Sequence, residues 1–155
     1  MQKQVIRKCP QRRGAVLVET AVIMPVFLII VFAIFEFGHA YLATNVLNAA
    51  AGRSARRGAV EHATNSDVLA IANQIIESGI SSDSVTVTIK DASIFDDGDA
   101  TDVDISSLPD LNLAECEPRQ LFIVQVKVPY EDIGIMGPRW LNGVTLHGEA
   151  VMRHE

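Results

Sequence analysis

The stretch Arg12-Arg13-Gly14-Ala15-Val16-Leu17-Val18-Glu19-Thr20 joins a basic leader to a long apolar run, and its reading decides the fold. The run from Ala15 to Phe35 is 21 residues long, and Glu19 is its only charge. At about 1.5 Å per residue it covers the roughly 30 Å of a bilayer's hydrocarbon core, which predicts a transmembrane helix over 15–37. An acidic side chain deep in that core costs about 2.5–3.5 kcal/mol, and less near the edge. Glu19 is therefore a candidate functional residue.

The 155 residues carry a net charge of −6 and are 48% hydrophobic, which suits one membrane segment and one small folded domain. The charge is unevenly divided: Lys3, Arg7, Lys8, Arg12 and Arg13 give the leader +5, leaving −11 for the rest. The basic flank predicts a cytoplasmic N-terminus, a single pass through the inner (cytoplasmic) membrane, and a C-terminal domain in the periplasm or outside. So acidic a domain has no basic surface with which to neutralise phosphates, which excludes nucleic acid as an expected partner. A cleaved secretory signal fits poorly, because the apolar run is too long and contains Glu19 and Pro25. At its far end Phe35, Phe37 and Tyr41 surround Glu36 like an aromatic belt, so Glu36, Phe37 and Tyr41 are the expected membrane-interface residues.

Beyond the apolar run the chain is rich in alanine and free of proline up to Val60, with Leu42, Val46, Ala49 or Ala50, and Arg53 three to four residues apart. This predicts a helix extension over 38–58, with Arg53, Arg56 and Arg57 either complementing the negative helix end or docking on an acidic patch. A second helix is expected to start at Ser66-Asp67, carry Val68, Leu69, Ala72, Ile75 and Ile76, and close at Gly79. Val85, Val87 and Ile89 then alternate with Thr86, Thr88 and Lys90, as in a strand with one buried face. The segments 121–130 and 144–153 alternate in the same way, with Pro129 marking the end of the first. The expected fold class is α+β: a long N-terminal transmembrane helix leading into a domain, 59–155, with a second helix and a three- to four-stranded antiparallel sheet.

Between the first two strands, 91–117 is a long acidic loop. Asp97, Asp99, Asp102 and Asp104 around Gly98 form a weak calcium pattern, lacking the ligand order of a helix-loop-helix site, so a solvated loop without a cofactor is the favoured expectation. His39, His62, His147 and His154 have no zinc spacing, and Cys9 and Cys116 fall on opposite sides of the membrane, leaving Cys116 an unpaired thiol or an intermolecular disulfide partner. No phosphate loop, nucleophile elbow or catalytic triad stands out, and no enzymatic activity is expected.

The junction makes chemical sense as a processing site. Cleavage between Gly14 and Ala15 would release the leader and leave an ammonium on Ala15, with Glu19 as the fifth residue. Four residues of helix span about 6 Å, placing Glu19 one turn from its own new terminus and within reach of a neighbour's. Pairing would make the carboxylate tolerable in a helical core and could fix subunit register. The competing reading has Glu19 turned to the cytoplasmic interface, paired with Arg12 or Arg13.

Gly14 followed by Ala15 to Val18 and Glu19 resembles the cleavage motif of type IV prepilins. Arg13-Gly14 through Val18-Glu19-Thr20-Ala21 resembles the start of TadE-like proteins, as do Pro25, Glu36-Phe37-Gly38, Asn45, Ala49 to Arg53, Ala55-Arg56 and the ending Leu146 to Arg153. The resemblance is densest over 12–57. It implies a minor pseudopilin of the tight-adherence (Flp) type IV pilus and secretion machinery, trimmed by a prepilin peptidase and packed through its helix against other pilins, pseudopilins and inner-membrane components. Ala15 in place of phenylalanine, Thr20 in place of tyrosine, and the large C-terminal domain argue against the major pilin. The alternative expectation is an unprocessed bitopic anchor carrying a binding or scaffold domain with an extracytoplasmic ligand.

Overall fold

A computed structural model describes residues 12–80, 83–96, 103–135 and 140–155. Helix α1 spans Arg12–Gly58 and helix α2 spans Asn65–Gly79; strands β1 (Thr86–Asp91), β2 (Leu121–Pro129) and β3 (Thr145–Arg153) form one antiparallel sheet in the order β1-β2-β3. This is the expected α+β arrangement with three strands. The chain divides into two compact units between Phe35 and Glu36.

In the unit from Glu36 onward, the C-terminal part of α1 and α2 pack on one face of the sheet. The buried stripe of α1 is Ala43, Leu47, Ala50, Ala51, Ser54 and Ala55, a 3–4 residue repeat made almost wholly of small side chains. It is rotated by about one position from the register expected from sequence, Leu42, Val46, Ala49 or Ala50, and Arg53: Ala50 is buried, but Leu42 and Arg53 are exposed and Val46 is only partly buried. Close backbone approach explains the shift. A Cβ on Gly148 of β3 would collide with the main chain of α1 at Leu47, so the helix face resting there has to be the small one. Ser54 is fully buried and donates its hydroxyl back to Ala50 O at 2.6 Å, which keeps that stripe free of unmet polar groups.

Helix α2 begins at Asn65, one residue before the expected Ser66-Asp67 start. Thr64 is its N-cap, and a capping box forms in which Thr64 N–H donates to Asp67 Oδ2 at 3.1 Å while the Thr64 side chain accepts from Asp67 N–H. Val68, Ala72 and Ile76 turn inward from this helix, and Gly79 approaches Val46 closely. Arg57, near the end of α1, lies 3.6 Å from Asp67, so the basic helix end and the acidic start of α2 meet.

Strand β2 is central and is buried on both faces. Phe122, Val124, Val126 and Val128 point to the helices and join Ala50, Ala51, Ala55, Val68, Ala72 and Ile76 in the core. On the other face Ile123 packs with Ala92 and Leu108, which belong to the segment between β1 and β2. That segment is a folded cover where it is described, built from three-residue 3-10 turns at Ser93–Phe95, Ile105–Ser107 and Leu113–Glu115. It is tied down by Leu111 N–H donating to Ile89 O, Asp91 N–H donating to Pro109 O, and a Lys90–Asp110 ion pair at 2.7 Å.

The antiparallel order gives the unit two distinct ends. The β2–β3 connection lies beside Glu36, through Tyr130, Trp140 and Leu141. The other end lies beside Gly58, whose carbonyl is 2.9 Å from Nδ1 of the buried His154, while Glu155 N–H donates to Ala59 O. Twenty-two residues of helix at 1.5 Å separate the two ends by about 33 Å.

Candidate functional site

The N-terminal part of α1 is apolar all round. From Val16 to Phe35 its large hydrophobic side chains, the half-buried Val31 apart, are 40–72% exposed, and its most apolar window has a mean hydropathy of 2.7 with none of it buried within the chain. A helix of this kind has its hydrophobic surface covered only by lipid or by other helices. By length and composition it is the one described helix able to cross a membrane, and it suggests single-pass anchoring. The helix continues through Pro25, which supplies no N–H to the carbonyl of Ala21.

The residues singled out at the junction lie on this helix. Gly14, Ala15 and Glu19 are all exposed, and a Cβ on Gly14 would meet nothing within 4 Å. Glu19 sits one turn beyond Ala15, an acidic group on an otherwise apolar surface. The neighbouring Thr20 has its hydroxyl satisfied within the helix, donating to Val16 O at 2.9 Å. The helix therefore presents a single charged group in its first turns after Gly14.

The second gathering of functional candidates is centred on Glu36. One carboxylate oxygen of Glu36 accepts the backbone N–H groups of Trp140 at 3.0 Å and Leu141 at 2.9 Å. The carbonyl of the same residue accepts the Tyr130 hydroxyl at 3.0 Å. The Tyr130 oxygen also lies 3.4 Å from Nδ1 of His39, and the two rings are 5.9 Å apart. Tyr130 is only 2% exposed, and burial, with the Glu36 charge adding to it, pushes its phenol above the ordinary range. Glu36, expected from sequence at the membrane interface, grips the β2–β3 connection. Phe37 and Tyr41 remain exposed on the same stretch of helix.

Sequence reasoning found Glu36, Phe37 and Tyr41 but missed Tyr130, His39, Trp140 and Leu141. These residues lie about a hundred positions from Glu36 or are unremarkable singly, and only the antiparallel return of β2 and β3 along the helix brings them together.

Of the four aspartates weighed for calcium, Asp97, Asp99 and Asp102 lie outside the described residues. Asp104 caps the Ile105–Ser107 turn, accepting from Ser106 N–H at 2.9 Å, and the Ser106 hydroxyl and N–H hold its carboxyl below the usual value. Other carboxylates of this cover line an open cleft of about 670 Å³, among them Asp96, Asp110, Glu115 and Glu117. Two of these are already engaged, Asp110 by Lys90 and Asp96 by Arg153. Among the described residues no group of three or more His, Cys, Asp or Glu could hold a metal ion. Cys116 is a partly buried free thiol hydrogen-bonded to Gln120, its pKa raised mainly by burial.

Comparison with known families falls on the helix. The family model described as TadE-like protein matches residues 14–56. Over these residues the chain is similar to TadE-like proteins. No curated protein and no solved structure gives a significant match. The TadE-like segment begins at Gly14, takes in Glu19 and Glu36, and ends at Arg56, so it covers the apolar helix and the small-residue stripe that holds the sheet, but none of the sheet itself. It suggests involvement in the tight-adherence (Flp) pilus system.

Proposed function

We propose that this chain is a minor pseudopilin-like component of the tight-adherence (Flp) pilus and secretion machinery. It is anchored in the inner membrane by α1 with its N-terminus cytoplasmic, and a prepilin peptidase removes residues 1–14. The observation that carries this reading is the combination, within the TadE-like segment, of Gly14, an apolar helix exposed on every side, and Glu19 one turn beyond Ala15. Cleavage creates an ammonium on Ala15, and Glu19 of one subunit pairs with the terminus of its neighbour as helices pack laterally. The folded unit from Glu36 onward is carried as a rider on this helix and contributes no catalysis; its partners are other pilins or pseudopilins and the assembly apparatus.

The pairing has an energetic rationale. A lone carboxylate drawn into a helical bundle loses its hydration, whereas a carboxylate facing an ammonium keeps a counter-charge and fixes the axial register between helices. Glu19→Gln keeps the shape and removes the charge. Normal leader cleavage with failed pilus assembly is the expected result in a strain depending on this chain; normal assembly by that variant contradicts the pairing role.

A further inference from the structure

The end of the folded unit beside Glu36 exposes apolar side chains that neither the fold nor helix packing uses. Ile135 is 78% exposed and Trp140 42%, with Val144 also open. Trp140 and Leu141 are fastened to α1 by donating their N–H groups to the Glu36 carboxylate, and Val144 is tied within the connection by accepting Tyr130 N–H. Glu36 immediately follows Phe35, the last residue of the apolar run, so whatever is fastened to Glu36 sits where the chain leaves the hydrocarbon. Phe37, Tyr41 and Leu42, all exposed, continue the apolar surface along the first turns of helix past that point.

We infer that this edge, comprising Ile135, Trp140, Leu141 and Val144, docks on the bilayer itself, with Trp140 in the interfacial zone. Three observations select lipid over a protein partner. The surface is continuous along the chain with the membrane-spanning run, so seating it on lipid requires no further encounter. Two of its three aromatic residues are Trp140 and Tyr41, whose rings combine an apolar body with a polar tip and favour the headgroup level, the third being Phe37. The Glu36 carboxylate, which would be costly to hold at the edge of a low-dielectric layer, already accepts two N–H groups. The Glu131 carboxylate at this same end is likewise engaged, accepting Gly143 N–H at 2.8 Å.

Trp140 is the only tryptophan in the chain and so reports on this edge directly. The full chain is reconstituted at low density in phosphatidylcholine vesicles whose acyl chains carry bromine either close to the ester linkage or near the chain ends. The expected result is a blue-shifted emission that loses about half its intensity to the shallow bromines and distinctly less to the deep ones, as an interfacial ring requires. Emission typical of water and untouched by either lipid overturns the inference. So does a blue shift without bromine quenching, which would mean that protein rather than lipid covers the edge. The double variant Trp140→Phe with Val151→Trp moves the reporter to an exposed position on the outer sheet face. It is expected to escape quenching, and equal quenching there would show that docking does not run through this edge. Neither measurement depends on leader cleavage or pilus assembly, so its failure is separable from failure of the proposed function.

Discussion

Gly148 of β3 lies directly against the backbone of α1 at Leu47: a Cβ built on it would overlap the Leu47 carbonyl carbon and stand 2.5 Å from the Asn48 amide nitrogen. No side chain is available there to move aside. Gly148→Ala therefore has to push the sheet off the helix along a fully buried seam that includes Leu47, Ala50 and Val126. We expect a loss of about 3 kcal/mol or more, seen as a large drop in the unfolding midpoint of the detergent-solubilised protein.

Gly79→Ala makes the informative contrast. A Cβ at Gly79 would come within 2.8 Å of a Val46 methyl, but that contact is with a side chain on a partly buried position. Both Val46 methyls are met, at 2.8 and 3.0 Å, but a side chain can shift where a main chain cannot, and alanine at this last helical residue restricts the unfolded chain. The net change is expected to stay within about 1 kcal/mol, and a destabilisation equal to that of Gly148→Ala would contradict the distinction between backbone and side-chain seams.

Thr64→Ala removes the side-chain half of the α2 capping box and is expected to cost about 1 kcal/mol in an unfolding titration. The other half is pH-dependent. The Thr64 backbone N–H, then its hydroxyl, and more weakly Arg57, hold the Asp67 carboxyl below its ordinary 3.8. A lowered folded-state pKa means that the contribution of Asp67 is present above pH 3.8 and disappears as pH falls through the lowered value. Wild type is therefore expected to lose more stability across that acid range than Asp67→Asn does.

Tyr130 predicts the opposite limb. Its phenol is raised above 10.0 because it is buried and faces the Glu36 charge. A raised folded-state pKa means that its contribution is intact below pH 10.0 and is lost as pH rises through the raised value. Tyr130→Phe is expected to cost about 1 kcal/mol at neutral pH through the lost bond to the Glu36 carbonyl, and to flatten the alkaline decline in stability. An unchanged alkaline decline in Tyr130→Phe would place its cause elsewhere.

Local patterns in the sequence carried most of the fold. The apolar run, the alternation at Val87, Ile89, Phe122, Val124, Val126 and Val128, and Gly79 closing α2 are all signals that act over a few residues, and each element formed where they stood. What escaped depends on approach between distant segments. The stripe on α1 is set by Gly148, a hundred residues away, so periodicity alone read it one position off. The acidic connection looked like a solvated loop because its charges dominate its composition. Its Leu108, Leu111 and Leu113, spaced irregularly, nevertheless pack against the sheet and helices. The clasp on Glu36 was invisible for the same reason: its two donors are backbone N–H groups, which carry no residue signature.

The central claim is that Gly14 and Ala15 form a processing site, and intact mass tests it most directly. The full chain is co-expressed in membranes with a prepilin peptidase shown to be active on another substrate, then purified and weighed. Cleavage predicts a product lacking residues 1–14 and beginning at Ala15, with the full-length mass retained when the peptidase is inactivated. A full-length mass in the presence of the active peptidase contradicts the claim and leaves the chain an unprocessed membrane anchor.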